Sequence, residues 1–191
     1  MAGVGISAHC VTASVAGNFE GDNPIYTVSL VDGGEADFSA LDRFIAAEDC
    51  IVIYDKYINE AGMELIEHIA KVMANGSFLK IFTSKLGARC LRPFTIAQRL
   101  TLVNPKIYSS CLEVSEGFRR LAHDRYLFCG SRLQMVFTAG IDSFGKRKFS
   151  GKRINRQSKV NIYSVGGANS LNIEASDGTI CCVNSVASDL A

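Results

Sequence analysis

Proline is scarce in this chain, with 3 in 191 residues, and the 17 glycines follow no period. With 48% hydrophobic and 20% charged residues, this composition excludes collagen-like, coiled-coil and disordered chains. No hydrophobic run approaches the ~20 residues that cross a bilayer. The first thirty residues have no basic cluster ahead of a hydrophobic stretch, so they do not resemble a signal peptide. We therefore expect one soluble, cytoplasmic, globular domain.

Histidine is also rare, with three in the chain, and no Cys-x-x-Cys motif occurs. The seven cysteines are scattered and odd in number, which favours reduced, buried thiols over a disulfide framework. Cys181 and Cys182 are adjacent and would face opposite sides of a strand, which suits neither a metal site nor an ordinary disulfide. We predict no structural zinc, no other metal and no cofactor.

The net charge of +1 conceals a separation of charge along the chain. Residues 1–49 contain eight acidic residues and one basic residue, whereas residues 119–159 contain eleven basic and two acidic ones. These two segments either neutralise each other, within a domain or between protomers, or the basic one binds a polyanion. The densest basic stretch has seven members and no acidic residue: Lys146, Arg147, Lys148, Lys152, Arg153, Arg156 and Lys159.

The hydrophobic pattern predicts an α/β layered domain with a mixed β-sheet flanked by helices. Residues 50–54 form a short hydrophobic run typical of a central strand, and residues 78–82 form another strand. Between them, hydrophobic residues at helical spacing predict a helix, with Glu64–His68 and Glu67–Lys71 as pairs on its outer face. A second helix over 95–102 precedes strands at 107–114, 125–129 and 133–138.

Three regions follow from this organisation. Residues 1–37 are an acidic segment with one strand at 25–31, packed on the domain that spans residues 38–165. Residues 166–191 are a C-terminal extension, which can form a hairpin across Ser176-Asp177-Gly178.

Polar residues follow the predicted strands at the sheet edge where α/β domains bind ligands. Asp55 and Tyr57 follow one strand, Thr83 and Ser84 follow the next, and Ser143 lies in a small-residue turn after the 133–138 strand. His123 and Arg125 precede the 125–129 strand and share one side of an extended chain. Together these residues predict a phosphate site. The alternative is that His123 is a structural histidine at the start of a strand.

At these residues the chain resembles the phospholipase D-like superfamily. The segments are Ile-Tyr-Asp-Lys-Tyr-Ile (53–58), Leu-Lys-Ile-Phe-Thr-Ser (79–84), His-Asp-Arg-Tyr-Leu-Phe (123–128) and Thr-Ala-Gly-Ile-Asp-Ser-Phe-Gly (138–145). More narrowly, the chain is similar to the single-copy forms found in bacterial proteins and in the C-terminal domain of MIT-domain proteins. The resemblance covers roughly residues 38–150 and implies a phospholipase D-like layered fold.

Active members of that superfamily carry His-x-Lys followed, after four intervening residues, by Asp. Histidine attacks phosphorus, and a second copy of the motif supplies the acid for the leaving group. By this resemblance His123 matches the nucleophile, Arg125 takes the lysine position, and Gly130 stands where the aspartate belongs. The carboxylate that would orient the histidine is therefore missing. A single motif also means that a catalytic pair needs two protomers.

These departures favour a phosphate- or phosphodiester-binding module over an active enzyme. The preferred hypothesis is a degenerate site that has lost turnover, in a homodimer that binds nucleic acid or, as second choice, an anionic phospholipid headgroup. One alternative is a metal-independent phosphodiesterase or nuclease, working as a dimer with His123 and Arg125 as catalytic residues. The other is a structural or interaction scaffold.

Overall fold

The computed structural model describes residues 24–29, 31–32, 35–36, 38–84, 89–121, 125–137, 140–144, 159–165 and 169–185. The strands are β1 (Tyr26–Ser29), β2 (Val31–Asp32), β3 (Glu35–Ala36), β4 (Cys50–Asp55), β5 (Phe78–Thr83), β6 (Tyr108–Glu113), β7 (Arg125–Cys129), β8 (Leu133–Phe137), β9 (Lys159–Ser164), β10 (Asn169–Glu174) and β11 (Ile180–Ser185). The helices are α1 (Asp42–Ile45), α2 (Glu60–Val72), α3 (Pro93–Val103) and α4 (Glu116–Leu121), with 3-10 turns at Phe38–Leu41 and Ile141–Phe144.

Seven strands form one mixed sheet in the order β1-β9-β8-β7-β4-β5-β6. The neighbours β4, β5 and β6 are parallel, and every other neighbouring pair in this sheet is antiparallel. The predicted α/β class with a mixed sheet and flanking helices is confirmed. Parallel strands require crossover connections, which α2 and α3 provide.

Helix α2 begins after Asn59, which caps its N-terminus. The Asn59 side chain accepts hydrogen bonds from the backbone N–H groups of Ala61 and Gly62, which have no partner inside the helix. Its hydrophobic face, which includes Met63 and Ile66, is fully buried. The chain then turns at Gly76, whose φ of 86° favours glycine.

Two hydrophobic cores cover the two faces of the sheet. On one face α1, α2 and α3 pack against alternate residues of β4 and β5, such as Ile51, Ile53 and Ile81. On the other face α4 and the β10–β11 hairpin cover an aromatic group. Its members are Tyr54, Phe82, Phe118, Tyr126 and Phe128.

The β10–β11 hairpin lies across the second face of the sheet. At its turn, backbone hydrogen bonds join Ser115 N–H to Glu174 O and Ser176 N–H to Glu113 O, next to the end of β6. At its other end Ser185 Oγ donates to Gln134 Oε1 on β8 over 3.0 Å. The hairpin therefore crosses β5, β4 and β7 between these two attachments.

In the described part of the chain, no helix is both long and apolar enough to span a membrane.

Candidate anion-binding site

One edge of the sheet gathers the ends of several strands. Strands β4, β5, β6 and β8 end there, and β7 begins there. The antiparallel register of β4 and β7 pairs Tyr54 with Tyr126, so the next residues, Asp55 and Arg125, lie opposite one another. Arg125 Nε is 4.0 Å from Asp55 Oδ1. This edge thus combines a guanidinium that is 30% exposed with a carboxylate that is 1% exposed.

Asp55 connects two loops through its carboxylate. Oδ1 accepts the backbone N–H of Tyr57 over 2.9 Å, and Oδ2 accepts the backbone N–H of Ile141 over 2.8 Å. Burial raises the pKa of Asp55, and the two amides and the Arg125 guanidinium oppose that shift only in part. The side chain therefore fixes the β4–α2 connection to the 141–144 turn.

A second contact holds the 141–144 turn against the start of α2. Asn59, which caps the helix, also donates from Nδ2 to Asp142 Oδ2 over 3.0 Å. The helix and turn approach closely at Gly62, where an added Cβ would lie 3.5 Å from the Asp142 backbone nitrogen. At Gly140 an added Cβ would lie 2.5 Å from Asp142 Oδ1. Polar contacts thus hold the turn in place, and the two glycines, Gly62 and Gly140, leave room for it.

The charges of two arginines affect the pKa of Lys56 at this edge. Partial burial lowers the pKa of Lys56, and the positive charges of Arg125 and Arg119 lower it further. Arg119 is on α4, which packs on the second face of the sheet through Phe118. Among the described residues, Arg125 Nε is buried without a hydrogen-bond partner, as is the Oγ1 hydroxyl of Thr83. This edge therefore has two buried donors without a hydrogen-bond partner in the described part of the chain, and an anion requires such donors.

The structure brings part of the predicted phosphate site together. Asp55, Thr83, Ser84 and Arg125 lie at this edge, with Thr83 paired in register with Asp55. Tyr57 is 44% exposed there, whereas Asp55, Thr83 and Ser84 are buried. Phosphate binding by these residues stays a prediction.

Other predicted site residues fall outside the described ranges. Ser143 is described only through its backbone, in the 141–144 turn. The remaining members that lie outside are His123, Lys146, Arg147, Lys148, Lys152, Arg153 and Arg156.

The described residues on either side of the basic stretch lie at the same sheet edge. The stretch follows the 141–144 turn, and its last member, Lys159, is the first residue of β9. Strand β9 is antiparallel to β8, and Phe137 at the end of β8 pairs with Val160. Lys159 therefore lies two strand spacings, roughly 10 Å, from the strand of Arg125.

Gly130, at the position of the family's aspartate, lies at the opposite end of β7 from Arg125. The five residues of β7 place the two ends roughly 16 Å apart. Gly130 has a φ of 54°, and an added Cβ would lie 2.6 Å from Glu48 Oε2. A carboxylate at position 130 would therefore not reach Arg125, and the described carboxylate that does is Asp55.

Sequence reasoning missed four residues of the site: Lys56, Asn59, Arg119 and Asp142. Lys56 lies between two predicted site residues, and this adjacency was an available signal. Arg119 comes from a helix on the other face of the sheet, so local pattern gives no indication of it. Within the described residues, no cluster of three or more His, Cys, Asp or Glu side chains is arranged to hold a metal ion.

No protein-family model matches the chain, and no curated protein sequence is similar to it. Among solved structures, the crystal structure of polyphosphate kinase from Porphyromonas gingivalis is similar, with a TM-score of 0.44 and 13% identity. The match covers 74% of this chain and 23% of the kinase chain.

Proposed function

We propose that this chain is a phospholipase D-like phosphodiester-binding module whose ligand is nucleic acid and whose site has lost turnover. The observation that carries the proposal is the Nε of Arg125 at the sheet edge, which is buried without a hydrogen-bond partner among the described residues and lies 4.0 Å from Asp55. The segments on which the resemblance rests include Asp55, Arg125 and the 141–144 turn, which lie at this edge.

Arg125 is the expected phosphate ligand. A guanidinium presents several N–H donors in a planar fork that matches two phosphate oxygens. Asp55 accepts two backbone amides and lies beside Arg125, so it holds the loops and partly balances the charge. In this proposal Asp55 is a positioning residue and does not contact phosphate.

Two features support nucleic acid over a phospholipid headgroup. Tyr57 is 44% exposed and follows Lys56 directly, which pairs an aromatic face for base stacking with a cation for phosphate. The described residues that flank the densest basic stretch also lie at this edge. Seven basic residues in one stretch suit a polymer of phosphates better than a single headgroup.

Binding without turnover is supported by how Asp55 is used. A histidine nucleophile needs an acceptor that fixes one tautomer, and position 130 is a glycine at the far end of β7. Asp55, the carboxylate beside Arg125, already accepts an amide on each oxygen. We further propose a homodimer, because the resemblance implies a two-motif site and the chain contains one motif.

The test is a salt titration of binding. Fluorescence anisotropy with a labelled single-stranded oligonucleotide should show affinity that falls steeply as sodium chloride rises. Arg125→Gln should weaken binding by roughly tenfold or more, as expected for a charge-assisted hydrogen bond. Lys56→Gln should reduce both the affinity and the salt slope. Lys106→Gln is the matched control, because Lys106 is exposed beside the start of β6, at the opposite edge.

Other outcomes separate the alternatives. Equal loss of affinity in the Lys56 and Lys106 variants would make the binding a general charge effect and overturn the proposed site. Tighter binding to vesicles that contain anionic phospholipid than to the oligonucleotide would identify a phospholipid headgroup, instead of nucleic acid, as the ligand. Metal-independent hydrolysis of a generic phosphodiester by the wild type, abolished in His123→Ala, would identify an enzyme.

A further inference from the structure

Two cysteines from distant parts of the chain lie in one interface. Cys50 begins β4, and Cys181 is the second residue of β11. Both are half-buried and pack against the hydrophobic core between the sheet and the β10–β11 hairpin. Cys182, the next residue, is exposed.

Side-chain alternation places these thiols on the facing surfaces. In β4, Val52 and Tyr54 belong to the core of the second face, so Cys50 points to that face as well. In β11, Val183 belongs to the same core, so Cys181 faces the sheet and Cys182 faces away. The two cysteines that are adjacent in sequence therefore have different environments.

The path of β11 brings Cys181 over β4 and β5. Ser185 is attached to Gln134 on β8 at one end of the strand. Two strand spacings separate β8 from β4, or about 10 Å, and three separate it from β5, or about 14 Å. Cys181 is four residues from Ser185, which is about 13 Å along an extended strand. This places Cys181 above the β4–β5 pair.

Other contacts of β11 fix the position of the strand end that contains Asn184. Asn184 Nδ2 donates to the carbonyl oxygen of Ser131, in the β7–β8 turn, over 3.3 Å. Gly130 in that turn donates its backbone N–H to Cys50 O over 2.9 Å. The Asn184 end of β11 therefore lies towards the edge of the sheet at which β4 begins, and the Ile180 end lies towards the end of β6.

The charges around the two thiols agree with this placement. Burial raises the pKa of both cysteines, and the nearby Lys80 ammonium opposes the rise at both. Cys50 and Cys182 also affect the ionisation of Cys181, and Glu48 affects that of Cys50. Lys80 is on β5, paired in register with Val52. A cation shared by two thiols stabilises whichever one ionises.

We propose that Cys50 and Cys181 form a redox-sensitive dithiol, which a small disulfide such as oxidised glutathione converts to a disulfide that links the hairpin to the sheet. One protein thiolate attacks a glutathione sulfur, breaks the glutathione S–S bond and releases one glutathione. The second protein thiolate then attacks the protein sulfur of the mixed disulfide and releases the other glutathione. The protein loses two electrons and two protons, which leave with the two reduced glutathione molecules.

The link would have a mechanical consequence. The hairpin covers the second core, and in the reduced chain hydrogen bonds and hydrophobic contacts hold it there. A covalent bond from β11 to β4 would restrict its local opening. The dithiol lies at the opposite end of β4 from Asp55, so oxidation should leave anion binding unchanged.

The experiment treats the folded full chain with excess oxidised glutathione, then blocks free thiols and maps peptides by mass spectrometry. We expect a Cys50–Cys181 linkage, an intact mass lower by two hydrogens, slower hydrogen exchange in β10 and β11, and a higher unfolding temperature. Cys50→Ser and Cys181→Ser should each abolish all four effects. Cys182→Ser is the matched control and should retain them.

Several results would overturn the proposal. They are a glutathione adduct that persists on Cys50 or Cys181, a linkage that includes Cys182, or free thiols at both positions after treatment. Circular dichroism checks that each serine variant is folded, and alanine variants replace any that is not. Absence of the Cys50–Cys181 linkage would count against the dithiol alone. The proposed function is tested separately, by oligonucleotide binding of the Lys56 and Arg125 variants.

Discussion

The carboxylate of Asp55 lies 4.0 Å from the guanidinium of Arg125, and each carboxylate oxygen also accepts one backbone amide. The residue that balances Arg125 therefore also joins the β4–α2 connection to the 141–144 turn. Site electrostatics and local stability depend on the same side chain.

Asp55→Asn is expected to destabilise the fold by about 1–3 kcal/mol at neutral pH. The substitution replaces one acceptor by an NH₂ donor, which faces a backbone N–H and leaves it without a partner. Urea unfolding followed by circular dichroism measures the loss. Asp49→Asn is the control, because Asp49 is exposed at the other end of β4 and should change stability little. Equal stability of both variants would contradict the bridging role.

The pH dependence of that difference has a defined sign. The pKa of Asp55 is raised in the folded chain, so the folded state retains a proton that the unfolded state releases. The contribution of Asp55 is thus largest in acid and decreases as pH rises from about 4 through the folded pKa. We expect the stability of wild type relative to Asp55→Asn to fall over that range. A difference that grows with pH would show that the pKa is depressed instead.

Much of the sheet could be predicted because its signals are local. The hydrophobic run at 50–54 appears as β4, and the helical spacing that follows appears as α2. In each pattern the spacing of hydrophobic residues along the chain shows whether one face or both faces of the element are buried. The mixed sheet followed from the order of these elements.

Side-chain partners could not be predicted in the same way. Glu67 was expected to pair with Lys71, but it accepts hydrogen bonds from Arg99 on α3. His68 was expected to pair with Glu64, but its Nε2 lies 2.7 Å from Asp42 Oδ1. Helical spacing identifies neighbours on one helix only, whereas these partners depend on how helices pack.

The candidate site shows the same division. Asp55 and Arg125 could be proposed because each adjoins a predicted strand end. Arg119 could not, because α4 reaches the site from the other face of the sheet. Gly130 stands at the motif position of the aspartate that would orient the histidine. The length of β7 shows that a side chain at this position would lie far from Arg125.

Anion binding should raise the pKa of Lys56. Partial burial lowers that pKa first, and the charges of Arg125 and Arg119 add to the effect. Inorganic phosphate bound between these cations would offset the charges of Arg125 and Arg119. Arg119→Gln would remove one of these two charges and should also raise the pKa of Lys56. NMR titration of the lysine side-chain ¹³Cε signal measures the shift, with exposed Lys106 as the internal reference. A Lys56 pKa that phosphate leaves unchanged would remove Lys56 from the site.

Gly130→Asp introduces the aspartate of the phospholipase D-like motif that the sequence resembles, and we expect it to destabilise the chain without creating activity. The left-handed φ of 54° costs a residue with a Cβ about 1–2 kcal/mol. The new carboxylate would also meet buried Glu48, which pairs with Arg132. Gly178→Asp is the matched control, because Gly178 has a φ of 85° and nothing within 4 Å of an added Cβ. Urea unfolding should therefore show a larger loss at position 130, and the difference measures the conflict with Glu48. Phosphodiester hydrolysis gained by Gly130→Asp would show that a carboxylate at this end of β7 does influence the site.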